Sequence, residues 1–388
     1  MAAPALDGIL VADLSRVLAG PLCTMSLGDL GADVVKVERP DGGDDTRAWG
    51  PPFVAEGSTY YLGLNRNKRS VTLDLKDPGD VGLARELCTR ADVVVESFRP
   101  GTSERLGLGY DEIAGTNPGV VYCSISAFGS SEQAAALPGY DLLLQAMSGL
   151  MSVTGEPGGR PLKVGAALID MICGLFATNG ILAALHARER DGHGQHVEVS
   201  LMDSALAALL NQASAHLNAG VVPGRMGNRH PSIAPYETFA AADGDFAVAV
   251  GNDTIFARLC AVVARPQLAG DQRFATNAAR MEHREELAAE LEAAFASAPA
   301  ADWVQRLGDA GVPAGPINDI GQAFAFAAEL GLEPVDETGG VRTVRSPLRL
   351  GATPAAVSRR APRLGEHSDE IRRWLGGAER RSSPLHRG

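Results

Sequence analysis

The sequence predicts an α/β protein built on a parallel sheet with helices on both faces. Two observations carry this prediction. The chain opens as strand, helix, strand, and strands then keep alternating with helices as far as Leu201.

Ile9–Leu14 is a continuous apolar run of strand length, followed by the turn Ser15–Pro21, a helix over Leu22–Leu30 and a second strand over Ala32–Glu38. In a nicotinamide enzyme Glu38 would hold the ribose, but the first turn lacks G-x-G-x-x-G, which argues against a dinucleotide. Leu64–Lys76 ends in a short alternating strand. Its Arg66, Lys68, Arg69 and Lys76 form a local basic cluster in an acidic protein, either a solvated surface or an anion-binding groove. A helix (Val81–Thr89), a strand (Val93–Val95), the turn Glu96–Arg105 and a strand (Val120–Ile125) follow, and a loop leads through Gly139-Tyr-Asp141 to a helix near Leu142–Met151.

Met171–Arg190 reads as a helix roughly 30 Å long. Its apolar residues run nearly all the way round, which predicts burial. A glycine turn, Asp191–His196, then enters the strand Val197–Leu201. His193, His196 and Glu198 have no H-E-x-x-H spacing, so no metal is expected there. A long helix capped by Asp203 runs to Ala219, and the Gly/Pro-punctuated loop Val221–Pro235 suggests a domain crossing or an active-site segment. A hairpin (Tyr236–Ala241, Phe246–Val250) and helices at Thr254–Ala264, His283–Ala296 and Ala301–Ala310 read as a smaller α+β domain. A further helix, short strands within Gly340–Leu350, a helix near Ser368–Leu375 and a disordered tail, Glu379–Gly388, complete the chain. The domain boundaries expected are 1–200 with 320–388 for the large domain, 201–224 for a connector and 225–319 for the small domain.

With 388 residues, 45% of them hydrophobic and 21% charged, the chain can bury a sizeable core. Its formal charge of −12 argues against nucleic acid and anionic membranes as partners. Five scattered cysteines with no C-x-x-C pair suit reduced thiols in a cytoplasm. The N-terminus has no signal-peptide pattern, and the longest apolar run is broken by Asp170 and by Thr178-Asn179, so a soluble cytoplasmic protein is expected.

Asp170 is the anomaly in this pattern. It lies between two runs of small and apolar residues, where a carboxylate must find partners or a task. One reading is structural: Asp is a favoured N-cap, and Asp170 sits where the long helix begins. The other is catalytic, and the two are compatible, because helix N-terminal amides favour an anion. There is no G-x-S-x-G, P-loop or complete S-x-x-K set, and Cys173 lies within an apolar helix. Carboxylate chemistry remains: a carboxylate can attack an acyl group already activated as a thioester.

Six motifs in order support that chemistry: Arg16-Val-Leu-Ala-Gly-Pro21, Leu30-Gly-Ala-Asp-Val-Val-Lys-Val-Glu38, Asn67-Lys-Arg-Ser70 with Leu73-Asp74, Val95-Glu-Ser-Phe-Arg-Pro-Gly101, Gly165-Ala-Ala-Leu-Ile-Asp170 and Leu364-Gly-Glu-His367. Together they resemble the class III CoA-transferases, the relatives of formyl-CoA transferase, carnitine CoA-transferase and succinyl-CoA:glutarate CoA-transferase, from about Leu6 to Leu375. The resemblance implies a Rossmann-like large domain made from both chain ends, a small domain between them, and a homodimer of interlocked rings. It implies that Asp170 attacks an acyl-CoA to give an aspartyl–acyl anhydride and then an aspartyl–CoA thioester, from which CoA passes to a free carboxylic acid. No tightly bound cofactor is implied; coenzyme A is substrate and product.

The CoA positions implied are Val17, Arg39, Leu73, Lys76, Ser97, Phe98 and Arg105, and Tyr140 and Asp141 fall beside the acyl site. Arg39, Lys76 and Arg105 suit phosphates and Phe98 suits adenine. Two departures from formyl-CoA transferase, Pro138 in place of a basic residue and the absence of a tetraglycine lid, point away from oxalate/formate specificity towards dicarboxylate or other acids, whose second carboxylate Arg229 and His230 could meet. Two alternatives stand beside this: an α-methylacyl-CoA racemase-like enzyme, against which Tyr140 stands where a histidine base is needed, and a CoA-ester-binding protein without turnover.

Overall fold

In the computed structural model, which describes residues 3–135 and 137–377, the chain divides into two compact units. The expected disordered tail lies outside the described residues. Of the described residues, one unit comprises those within 1–150, 163–221 and 333–377; the other comprises 151–162 and 222–332.

A six-stranded parallel sheet forms the first unit. Its order is Lys68–Thr72, Asp33–Glu38, Leu10–Leu14, Val93–Glu96, Val121–Ser126, His196–Ser200. In sequence order this reads 3-2-1-4-5-6, the doubly wound arrangement. The pleat sorts the side chains. Val11, Val34, Val93, Val95 and Val121 pack on one face against the helices Ala19–Asp29 and Leu168–Asp191. Ala12, Val35, Val71 and Val94 pack on the other face against Pro78–Arg90, Tyr110–Thr116 and Ser368–Gly376. Every interior strand is buried on both sides, which is why its residues read as continuous apolar runs.

The helix Leu168–Asp191 crosses the first helix closely. A side chain at Gly174 would bring its Cβ to 2.6 Å from the Ala19 carbonyl oxygen, so the two backbones meet where only glycine fits. By length and composition this helix could cross a membrane, with a mean hydropathy of 1.8 over its most apolar window. Its apolar run is interrupted by Asp170 and by Thr178-Asn179, as the sequence reads, but it is not buried all round: Ile169, Cys173, Ala177 and Ile181 face the sheet, whereas Met171, Leu175 and Phe176 are exposed in the single chain.

The basic cluster is neither a solvated surface nor, for most of its members, a groove. Arg66, Lys68 and Arg69 are buried, paired with Asp29 at 2.6 Å, Asp13 at 3.0 Å and Asp33 at 2.5 Å. The partners precede them by some 36 to 55 positions, so local sequence could not display them. Glu38 is likewise committed internally: it accepts Arg47 through both carboxylate oxygens at 2.7 Å, Ser70 Oγ at 2.6 Å and Asp44 N at 3.0 Å. Two further corrections are local. The helix expected from Asp203 is two helices, Leu201–Ala208 and Leu210–Ala219, and its cap is Ser200, whose hydroxyl accepts the Asp203 N–H.

In the second unit three antiparallel strands (Ala314–Pro316, Asp245–Ala249, Tyr236–Ala240) pack against helices around Phe239, Phe246, Phe256, Phe295 and Trp303.

The buried pairs generate a stability prediction. Lys68→Met leaves the buried Asp13 carboxylate without its hydrogen-bonded cation, so the urea midpoint should fall by the equivalent of about 3–5 kcal/mol.

Candidate active site

The strand order reverses between Leu10–Leu14 and Val93–Glu96. Their following loops, Ser15–Leu18 and Ser97–Pro100, leave towards opposite faces of the sheet, because the first feeds the helix Ala19–Asp29 and the second leads to Tyr110–Thr116. A crevice at the carboxyl ends of the strands is the consequence.

Two cavities occupy it. One, of about 290 Å³, is lined by Arg39, Leu73, Lys76, Phe98 and Thr102. The other, of about 240 Å³, is lined by Val17, Ser97, Phe98, Tyr140 and Asp170. Arg16 and Phe98 line both. Six of the seven predicted CoA positions therefore lie along one crevice that reaches Asp170. Arg105 lines neither cavity; its Nη2 donates to Thr102 Oγ1 at 2.8 Å, beside the first. Of the four basic residues between Leu64 and Lys76, only Lys76 faces this crevice. Arg229 and His230 belong to the second unit. There Arg229 is paired with Glu237 and Glu285, and His230 Nδ1 accepts the Ser232 N–H.

The crevice walls are held from behind by buried acids. Asp44 pairs with Lys36 at 2.9 Å and accepts the Val17 N–H at 3.3 Å. Val17 has φ 71°, a left-handed backbone that a β-branched residue adopts only under constraint. Glu96 accepts the Phe98 N–H at 2.7 Å, and Ser97 Oγ accepts the Arg16 N–H at 3.0 Å, tying the two loops together. Burial pushes the Glu96 carboxyl up to about 7.

Asp170 differs from these acids. Among the described residues its carboxylate accepts no hydrogen bond and forms no ion pair. Burial, and then the neighbouring Asp141 carboxylate, push it up to about 7. The structure also corrects its expected position on the helix. The helix begins at Leu168 with Ala167 at the cap position, so Asp170 lies inside the first turn. The cap comes from Asp141, whose Oδ1 accepts the Ile169 N–H at 2.9 Å and the Asp170 N–H at 3.3 Å. Asp141 in turn accepts Gln145 Nε2 at 2.6 Å.

Tyr60 is a residue the sequence reading missed. Burial, and then Asp170 and Asp141, push its hydroxyl up to about 12, so it stays a neutral donor in the field of the two carboxylates. Its ring meets Trp49 edge-on at 5.2 Å. Nothing in the local pattern at Tyr60 marks it, since its partners are more than eighty positions away. A carboxylate that is basic, unpaired and open to a cavity can act as an oxygen nucleophile or as a base.

Comparison with known proteins adds the family. The profile described as CoA-transferase family III matches residues 6–368. The chain is 43% identical over 393 residues to the succinate–glutarate CoA-transferase of Agrobacterium fabrum, covering 98% of each. It is 42% identical to the acetyl-CoA:oxalate CoA-transferase of Acetobacter aceti, covering 96% of each. Among solved structures it resembles a CAIB/BAIF family protein from Brucella suis, with TM-score 0.86 and 42% identity over 96% of this chain and 100% of that one.

The unpaired acid predicts an unusual stability effect. Asp170 has its carboxyl raised in the folded state, so its ionisation costs stability as pH rises from about 4, its unfolded value, through about 7. Asp170→Asn should therefore be more stable than wild type at pH 8, by about 1–3 kcal/mol after allowance for solvent screening. That difference should vanish below pH 4 in parallel denaturant titrations. Had Asp170 been the helix cap, Asn would cap about as well and the variant would show no such gain.

Proposed function

The chain belongs to CoA-transferase family III and moves CoA between an acyl-CoA and a carboxylic acid, and on that premise we propose that Asp170 is its nucleophile and the crevice its CoA-ester site. The observation that carries this is the Asp170 carboxylate itself, unpaired, half-buried and pushed up to about 7 at one end of the crevice. A raised pKa means a more basic carboxylate, and a thioester supplies the activated carbonyl it needs.

The exchange balances without a net proton or electron. An Asp170 oxygen adds to the thioester carbonyl, the C–S bond breaks, and CoA thiolate leaves an aspartyl–acyl anhydride. The thiolate attacks the aspartyl carbonyl, which releases the donor acid and leaves an aspartyl–CoA thioester. The acceptor carboxylate expels the thiolate to form a second anhydride. Attack of the thiolate on the acceptor carbonyl then yields the new CoA ester and restores the Asp170 carboxylate. Arg39 and Lys76 supply cations for the CoA phosphates, and Phe98 an apolar ring for its adenine. This remote binding positions the thioester over Asp170.

The acceptor class in this reading is a small dicarboxylate, as in the names of the two relatives above. Arg99, which makes no ion pair among the described residues, and Arg16 line the Asp170 cavity and offer charge to a second carboxylate. A homodimer belongs to the same proposal. Met171, Leu175, Phe176, Leu206 and Leu210 are exposed in the single chain, and a second copy would cover them.

The purified chain should convert succinyl-CoA and glutarate to glutaryl-CoA, with kcat/KM rising with pH through about 7 as Asp170 ionises. Hydroxylamine trapping during turnover should modify Asp170 alone, and Asp170→Asn should exchange nothing; wild-type turnover in that variant defeats the assignment. Arg39→Ala and Lys76→Ala should each weaken CoA-ester binding about tenfold, read by calorimetry. Light scattering should give twice the mass of one chain.

A further inference from the structure

Gln145 is completely buried, and each polar atom of its side chain is used. Its Nε2 donates to Asp141 Oδ2 at 2.6 Å and, more weakly, to the Ala166 carbonyl at 3.4 Å. Its Oε1 accepts the Val164 N–H at 2.8 Å. One amide thus joins the helix Asp141–Met147 to the segment that leads into the helix carrying Asp170.

The geometry points to Gln145 as a positioning residue that decides which of two neighbouring carboxylates caps the central helix and which is left free to react. This inference rests on the reading of Asp170 as nucleophile. The first-turn amides of a helix are the natural partners of an anion. Here two of them, on Ile169 and Asp170, are already taken by Asp141 Oδ1. Ala167, at the cap position, makes no side-chain capping bond. Were Asp141 to swing away, those amides would be open to the Asp170 carboxylate, which would be stabilised as an anion and become a poorer nucleophile. Gln145 prevents this by holding Asp141 through its other oxygen, Oδ2, while the Val164 bond fixes the approach to the helix.

The titratable and charged groups that face Asp170 are few. They are Asp141 from the helix Asp141–Met147, Tyr60 from the helix Thr59–Leu62, Cys173 one turn along its own helix, and Arg16, Asp45, Arg99 and Tyr140 on the cavity wall. Gln145 itself touches neither the cavity nor the crevice, so its replacement leaves the CoA-ester contacts in place.

The test is the pH dependence of kcat/KM for succinyl-CoA and glutarate from pH 5 to 9, in wild type, Gln145→Met and Gln145→Leu. Met and Leu are neutral and of similar volume, and both remove the hydrogen bonds to Asp141 and Val164 without adding a charge beside Asp170. Both should shift the acid limb downward by about one pH unit and lower kcat about tenfold, with the CoA-ester dissociation constant within about twofold of wild type. An acid limb that stays at the wild-type position in a folded variant overturns the inference. Should Gln145→Met fail to fold, Gln145→Leu decides alone. Wild type that exchanges no CoA, or that keeps its exchange when Asp170 is Asn, defeats the nucleophile reading instead, so the two failures are distinguishable.

Discussion

The site depends on a set of charges buried beneath the first strand's loop. Asp13 accepts the Ser15 N–H at 3.0 Å, Thr24 Oγ1 at 2.7 Å and Lys68 Nζ at 3.0 Å. Lys36 Nζ reaches the Ser15 carbonyl at 2.9 Å and Asp44, which in turn holds the Val17 N–H. Burial alone would raise the Asp13 carboxyl. The opposing pull of Lys68, Lys36 and its hydroxyl partners holds it well below the usual carboxylate range. Four buried ionic groups are a costly way to stabilise a fold. What they accomplish here is geometric: they fix a four-residue loop, one member of it in a left-handed conformation, as a wall of the crevice.

Against that background Asp170 stands out by what it lacks. The same unit buries Asp13, Asp29, Asp44 and Glu38, and each has a cation. Glu96 has no cation either, but it accepts the Phe98 N–H; Asp170 has neither cation nor donor, and another acid for a neighbour. A fold that gives each of these other acids a partner and leaves Asp170 none is giving up stability locally, and such concessions are expected where chemistry is done. The crevice comes from topology, since two adjacent parallel strands send their loops to opposite faces. The reactivity proposed for Asp170 rests on the local environment, since burial and Asp141 both disfavour the anion. The fold places the acid, and its surroundings tune it.

The single chain also presents apolar side chains to solvent along one side of its central helix. A helix whose apolar residues run nearly all round needs cover on every side. The sheet covers one side, and the proposed second copy accounts for the other.

The alternation of strands and helices was legible because period and length are local properties, and the hydrophobic runs of Leu10–Leu14, Asp33–Glu38 and Val93–Glu96 follow from burial on both faces of a parallel sheet. Asp170 was legible too, as an acid where apolar residues should continue, and so was the family, through motifs strung along the chain. The Asp141–Gln145 pair stood in plain view at the helical spacing of four, without a sign of what it holds. What sequence alone could not decide was pairing. Arg66, Lys68 and Arg69 read as a solvated surface or an anion groove because Asp29, Asp13 and Asp33 lie far back in the chain; Asp170 looked like its own helix cap because the true cap, Asp141, arrives from 28 positions before Ile169. Tyr60 gave no signal at all. Local order is written in neighbouring residues, whereas the partner of a charge is chosen by the folded chain, where distance in space replaces distance in sequence.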